Sequence, residues 1–200
     1  MSDPITFPGT VAWSGENPGI SLKTDPDGPF TTLASFFRVV LSPHGRGHAL
    51  MLLQAPHEAG AAGNVCITDN ATLARYLVRD FVSHFGAWRN LPGLGAMRYL
   101  HADSVAADGD PLSTYSETVR GGDLTVQLTW SGLGAPFCFA ARPENSATGR
   151  HHMPSLFVGC SDAAIAVNGK RLPGAPVPRE VAGHRISTAM LAFSETWIEA

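Results

Sequence analysis

Leu124-Thr125-Val126-Gln127-Leu128-Thr129-Trp130 alternates apolar and polar side chains from end to end. Successive side chains on an extended chain point to opposite faces, so this stretch predicts a strand with one buried face. The same signal recurs on both sides of it. Tyr115 to Val119 precedes it, closed by Arg120-Gly121-Gly122-Asp123; Phe137 to Ala141, Ser155 to Val158, Ala163 to Val167 and Ile186 to Phe193 follow. Asn168-Gly169, between Ala163–Val167 and Lys170-Arg171-Leu172, predicts a hairpin. Both central residues of a type I′ turn take positive φ, and Asn and Gly tolerate that best.

Towards the N-terminus, Thr10-Val11-Ala12-Trp13 is a short alternating stretch, and Glu16 to Pro29 is rich in Pro, Gly and Asp and reads as loop. Phe36 to Leu41 is a strand; Ser42-Pro43-His44-Gly45-Arg46-Gly47 turns the chain, and His48 to Gln54 returns as its hairpin partner. Asn64 to Thr68 and Met97 to Ala102 add two strands, and between them lies the one amphipathic helix. Leu73, Leu77, Phe81 and Phe85 recur at every fourth position beside Ala74, Val78 and Val82, giving a wide apolar face opposite Arg75, Arg79, Asp80 and Ser83. Asp69 or Asn70 caps its start, Gly86 follows its end and Pro92 stops continuation.

Many short strands with one helix, at about residues 70–85, predict a mainly β (α+β) chain: an antiparallel β-barrel or a strongly bent sheet, with the helix packed on the sheet or plugging a barrel end. At the level of architecture alone this is similar to lipocalin-like barrels, an analogy that transfers no site. No shift in composition marks an interior boundary, so residues 1–200 are expected to form a single globular domain. Trp13-Ser14-Gly15 and Trp130-Ser131-Gly132 share a tripeptide, too short to establish a duplication.

Composition narrows the chemistry. A 200-residue chain with 44% hydrophobic and 16% charged residues can bury a core without metal or disulfide staples. Its net charge of −3 and scattered arginines offer no positive stripe for phosphate backbones, so no nucleic-acid partner is expected. Cys66, Cys138 and Cys160 are odd in number, lie in apolar contexts and form no CxxC, which fits buried free thiols in a reducing compartment. Met1-Ser2-Asp3-Pro4 lacks the basic and apolar regions of a signal peptide, and no apolar run approaches the ~20 residues of a membrane helix. A cytoplasmic protein with no membrane partner is expected.

The two lysines, Lys23 and Lys170, lie in a loop and after a turn, which removes Schiff-base chemistry. There is no GxSxG elbow, no phosphate-binding GxxxxGK[ST] and no HExxH, and Leu91-Pro92-Gly93-Leu94-Gly95 follows a helix rather than the strand a dinucleotide fingerprint needs. No cofactor is expected. Nor is a metal: His44 and His48 are four apart, but Gly45 and Gly47 place them on a turn. His57 beside Glu58 suggests a base with an orienting carboxylate, but neighbours on an extended chain point to opposite faces and do not pair.

Five polar residues remain as candidate lining of an interior pocket: Glu117, Arg142, His151, His152 and Glu195. Glu117 shares a strand face with Tyr115 and Val119, and Glu195 shares one with Phe193 and Trp197, so burial of those apolar neighbours carries a carboxylate inward. In the opposite register both carboxylates face water. His151 and His152 precede a strand and point to opposite faces, so one of them turns inward. Phe137 and Phe139, on one face, suit either ordinary packing or the wall of an apolar cavity. The expected function is binding of a small apolar ligand by this β-barrel-like protein. The alternatives are a cofactor-independent enzyme (isomerase, hydratase or decarboxylase) using a His/carboxylate pair in the pocket, and an interaction protein that forms homo-oligomers.

Overall fold

The computed structural model describes residues 6–200; the Met1-Ser2-Asp3-Pro4 stretch lies outside them. The N-terminal strands are β1 (Thr10–Glu16), β2 (Gly19–Leu22), β3 (Thr32–Leu41), β4 (Gly47–Leu53) and β5 (Val65–Thr68). β3 is their hub, pairing antiparallel with β4 on one side and with β2 and β1 in succession on the other. β2 lies in the segment that reads as loop. Pro18 and the Asp25–Gly28 turn flank it closely, but Ile20 and Leu22 alternate into the core.

β5 leads into α1 (Ala71–Asp80), a 3-10 turn at Val82–His84 and the four-residue α2 (Pro92–Gly95). Asn70 caps α1, its Oδ1 accepting from the Leu73 amide at 3.0 Å. The apolar periodicity runs past the helix end. At φ −130° Phe81 leaves helical geometry, and its ring packs against Tyr76, Trp13 and Trp197 at 5.4, 5.9 and 5.3 Å. The expected helix over 70–85 is therefore a ten-residue α-helix followed by a tighter turn.

Next come β6 (Arg98–His101), parallel to β5, then β7 (Ser104–Asp110), β8 (Thr114–Gly121) and two long strands, β9 (Leu124–Ala141) and β10 (His151–Val167). β11 (Lys170–Arg171) follows the turn at Asn168 (φ 49°) and Gly169 (φ 77°), where both residues are left-handed as a type I′ turn requires. β12 (Pro178–Val181) and β13 (His184–Ser187) form a separate hairpin, and β14 (Ala189–Phe193) and β15 (Glu195–Glu199) close the chain.

Thirteen strands make one sheet in the order β6-β5-β4-β3-β1-β15-β10-β9-β8-β7, with β2, β11 and β14 attached to β3 and β10. Its two edge strands are consecutive in sequence. Ala102 and Asp103 join them, the first donating to Thr68 O at 2.9 Å and the second to Arg120 O at 2.7 Å. The sheet thus bends until its edges meet at one corner, which is the strongly bent sheet of the two expected architectures.

The bend creates two cores. Inside it, Ile20, Phe36, Leu50 and Ile67 of the N-terminal strands meet Val119, Leu128, Trp130 and Ile165 of the C-terminal ones. On the outer face Trp13, Phe37, Met51 and Trp197 pack against Leu73, Leu77 and Phe81. β4 is consequently buried on both faces from Ala49 to Leu53, whereas β8 keeps strict alternation. Trp13 and Trp130 fall in different cores, so the two Trp-Ser-Gly tripeptides are not structural equivalents. Cys66 and Cys160 are buried, but Cys138 is exposed, contrary to the sequence expectation. Beyond Gly132 β9 runs out over the surface, where Phe137 and Phe139 turn one way onto Phe157 and Cys138 turns the other. Among the described residues no helix is long and apolar enough to cross a membrane.

Candidate functional site

Odd-numbered side chains of β15 and even-numbered ones of β14 share the outer, helix-side face of the sheet with Ser21 and Ser35. Where these strands converge they leave a cavity of about 230 Å³. Its floor is Asn17, Ser35 and Glu195, and its walls are Trp88, Trp197, Phe85, Phe157, Met153 and Met190. Ala147 lies at the mouth and Arg179, from the β12–β13 hairpin, reaches over it. The hairpin is held at its base by Thr188, which donates to Ser21 O at 2.7 Å and accepts from the Val177 amide at 3.0 Å. Farther out Ile186 packs onto Gly159, where a Cβ would lie 2.4 Å from its side chain.

Glu195 is 3% exposed. Its Oε1 accepts from Trp197 Nε1 at 2.7 Å and from Asn17 Nδ2 at 3.4 Å, and Asn17 Oδ1 in turn accepts from the Ser35 hydroxyl at 2.6 Å. Oε2 has no hydrogen-bond partner among the described residues. Loss of solvent outweighs these two bonds and pushes the carboxyl up to about 7. Arg179 forms no ion pair among the described residues; its Nη2 approaches Met190 Sδ at 3.2 Å, and desolvation lowers its pKa. The cavity therefore presents one half-satisfied buried carboxyl and, among the described residues, one cation without a carboxylate.

The five sequence candidates do not assemble. Only Glu195 lines this cavity. Glu117 is fully buried in the inner core, where its Oε1 accepts from Arg38 Nη2 at 2.7 Å and Tyr115 Oη at 2.7 Å. Arg38 also pairs with Glu16, while Glu117 Oε2 is buried without a partner. Desolvation raises the Glu117 pKa against the opposing pull of Tyr115 and Arg38. Arg142 is exposed just after β9. His151 and His152 do point to opposite faces. His151 is buried between Phe81 and Trp197, with Nδ1 2.8 Å from Thr148 Oγ1, and burial lowers its pKa. His152 packs on Phe7 at 5.1 Å with its Nδ1 buried and unpartnered. The candidates are scattered because Glu117 stands on β8, Arg142 after β9, His151 and His152 on β10 and Glu195 on β15, and these strands face two different cores.

No histidine lines the cavity among the described residues. A histidine–carboxylate contact lies elsewhere, His48 Nδ1 to Asp69 Oδ2 at 2.7 Å, in an open groove beside the start of α1. A second cleft, of about 520 Å³, lies on the other side of the β12–β13 hairpin between Phe137, Gly159 and His184. Its buried thiol, Cys160, is pushed up to about 11 by desolvation, the opposite of what a nucleophile requires. Among the described residues no group of three or more His, Cys, Asp or Glu is placed to hold a metal ion.

Asn17, Ser35, Trp88 and Arg179 carry no sequence signal of a site. Asn17 stands in the Pro/Gly-rich segment, Ser35 precedes an apolar run, and Arg179 follows Pro176-Val177-Pro178, which has no strand periodicity. The chain matches no protein-family model, and neither a curated protein nor a solved structure is significantly similar to it.

Proposed function

We propose that this protein binds a small molecule with an apolar body in the cavity beneath the β12–β13 hairpin. The observation that carries the proposal is a buried carboxyl with one free oxygen on the floor of a cavity walled by Trp88, Trp197, Phe85 and Phe157. Ligand sites combine apolar walls with a few convergent polar groups in this way, and the cavity, at about 230 Å³, is somewhat smaller than their usual range of ~300–1,000 Å³. A ligand about the size of one substituted ring fits.

Two wall tryptophans give the test. Soluble ring compounds should change the fluorescence of Trp88 and Trp197, and Ala147→Trp at the exposed mouth should block that change without lowering Tm. Binding that survives the blocked mouth removes this cavity as the site.

A second reading, proton-transfer catalysis on the bound molecule, is favoured by Glu195 itself. A carboxyl near neutrality with one oxygen free is suited to act as acid and base. With no histidine on the wall, Glu195 would act alone rather than in a His/carboxylate pair. Deuterium incorporation from solvent into a bound carbon acid, lost in Glu195→Gln, tests it; exchange that persists in the variant rejects it.

A further inference from the structure

The ligand's charge pattern can be read from the two ionisable groups of the cavity, taking as given that the cavity binds a small molecule. We infer that the site takes a compact zwitterion, with its ammonium group on Glu195, its carboxylate towards Arg179 and its apolar body against the aromatic wall.

Glu195 offers Oε2 with no protein donor, among indole and phenyl rings that also favour a cation over their faces. An ammonium group supplies up to three donors and the missing countercharge. At the mouth, the Arg179 guanidinium has among the described residues only a thioether in hydrogen-bond range, so its forked N–H groups are available to a carboxylate. Glu195 and Arg179 are not in ion-pair contact with each other, and no lysine, histidine, aspartate or other glutamate lines the cavity among the described residues. The two poles are thus left for a ligand to join.

Electroneutrality makes the pattern selective. An organic ammonium alone satisfies Glu195 but adds a cation to a cavity that already holds Arg179. A carboxylate alone satisfies Arg179 but brings a second anion towards Glu195. A zwitterion satisfies both with no net charge buried, and discrimination of this kind rests as much on what the wrong ligand leaves unpaired as on what the right one gains. Trp88, Trp197 and Phe157 then select an aromatic or branched aliphatic body over a polar one.

The test is titration of the full chain at pH 7.5 with L-phenylalanine, L-leucine, phenethylamine, 3-phenylpropionate and benzyl alcohol, followed by calorimetry and tryptophan fluorescence. At least one amino acid should bind about tenfold or more tighter than each single-charge analogue, one charge-assisted contact being of that size. Arg179→Met should reduce L-phenylalanine to the affinity of phenethylamine, and Glu195→Gln should reduce it to that of 3-phenylpropionate. Unchanged Tm in Arg179→Met, which removes no ion pair among the described residues, separates binding from folding. Comparable binding of benzyl alcohol and the charged ligands, unaffected by either variant, overturns the zwitterion and leaves small-molecule binding standing. Absence of binding by all five at millimolar concentration overturns both.

Discussion

Glu117 and Glu195 are the same residue type in the same local pattern, each on a strand face with large apolar neighbours, and both are buried. Their surroundings part company in three dimensions. Glu117 faces the inner core, where Arg38 from β3 and Tyr115 from its own strand both donate to Oε1, and Arg38 is held in turn by Glu16. Glu195 faces the outer core, where an indole N–H and a long amide contact are its whole support and its second oxygen opens on a cavity. Glu117 meets a cation across the sheet, whereas Glu195 keeps one oxygen without a donor among the described residues. The unpartnered Oε2 of Glu117 is shut in by protein, so it too has no access to a ligand.

The comparison breaks most directly at Arg38. Arg38→Met leaves Glu117 buried without its countercharge and should cost about 3–4 kcal/mol at pH 8 by urea denaturation. The loss should shrink at pH 5, as Glu117 then takes up a proton. Equal loss at both pH values would mean that packing rather than charge is at stake.

Glu195→Gln should act in the opposite sense. The folded protein holds the Glu195 proton up to about pH 7, against 4.5 for the ordinary group, so stability is undiminished below pH 4.5 and is lost as pH rises through 7. Gln keeps the acceptor for Trp197 and cannot ionise. The stability of the variant minus that of the wild type should rise by about 3 kcal/mol between pH 4.5 and 8.5. A flat difference would place an unperturbed carboxyl at this position.

Two smaller changes refine the contrast. Tyr115→Phe removes one of the two donors to Glu117 and should cost about 2 kcal/mol, because the bond serves a buried charged group. In a Ser35→Ala background, which frees Asn17 of its 2.6 Å bond to the Ser35 hydroxyl, Asn17→Ala removes the 3.4 Å contact to Glu195 and should cost about 1 kcal/mol while moving the Glu195 titration, followed by NMR, further above 7. A larger effect from Asn17 than from Tyr115 would invert the ranking of the two sites.

Local periodicity made much of the fold legible. The alternation over Leu124–Trp130, the Asn168-Gly169 turn and the Asn70 cap are each decided by residues within a few positions of one another, and each is present in the structure. Even at this level the chain holds features that pattern obscures. β2 hides in a Pro/Gly-rich segment, β7 is so exposed that it lacks an apolar face, and Phe81 ends α1 while its spacing still fits a helix.

The candidate site was legible only at Glu195. Asn17, Ser35, Trp88 and Arg179 come from four segments whose ends are far apart in sequence, and no spacing rule connects them. The apolar neighbours of Glu117 and Glu195 left the inward and outward registers open, and Phe193, expected on the face of Glu195, turns to the inner core because Ser194 at φ 53° interrupts the alternation between β14 and β15.

The sequence by itself determined a mainly β chain built from alternating strands, with one capped amphipathic helix, because side-chain period and turn chemistry are properties of adjacent residues. The tertiary structure alone decided that the sheet bends until β6 and β7 share a corner, that two cores result, and that Arg38 reaches Glu117 while, among the described residues, nothing charged reaches Glu195. A carboxylate's partner lies across the sheet rather than along the strand, so its pKa and its availability to a ligand are fixed only when distant strands come together.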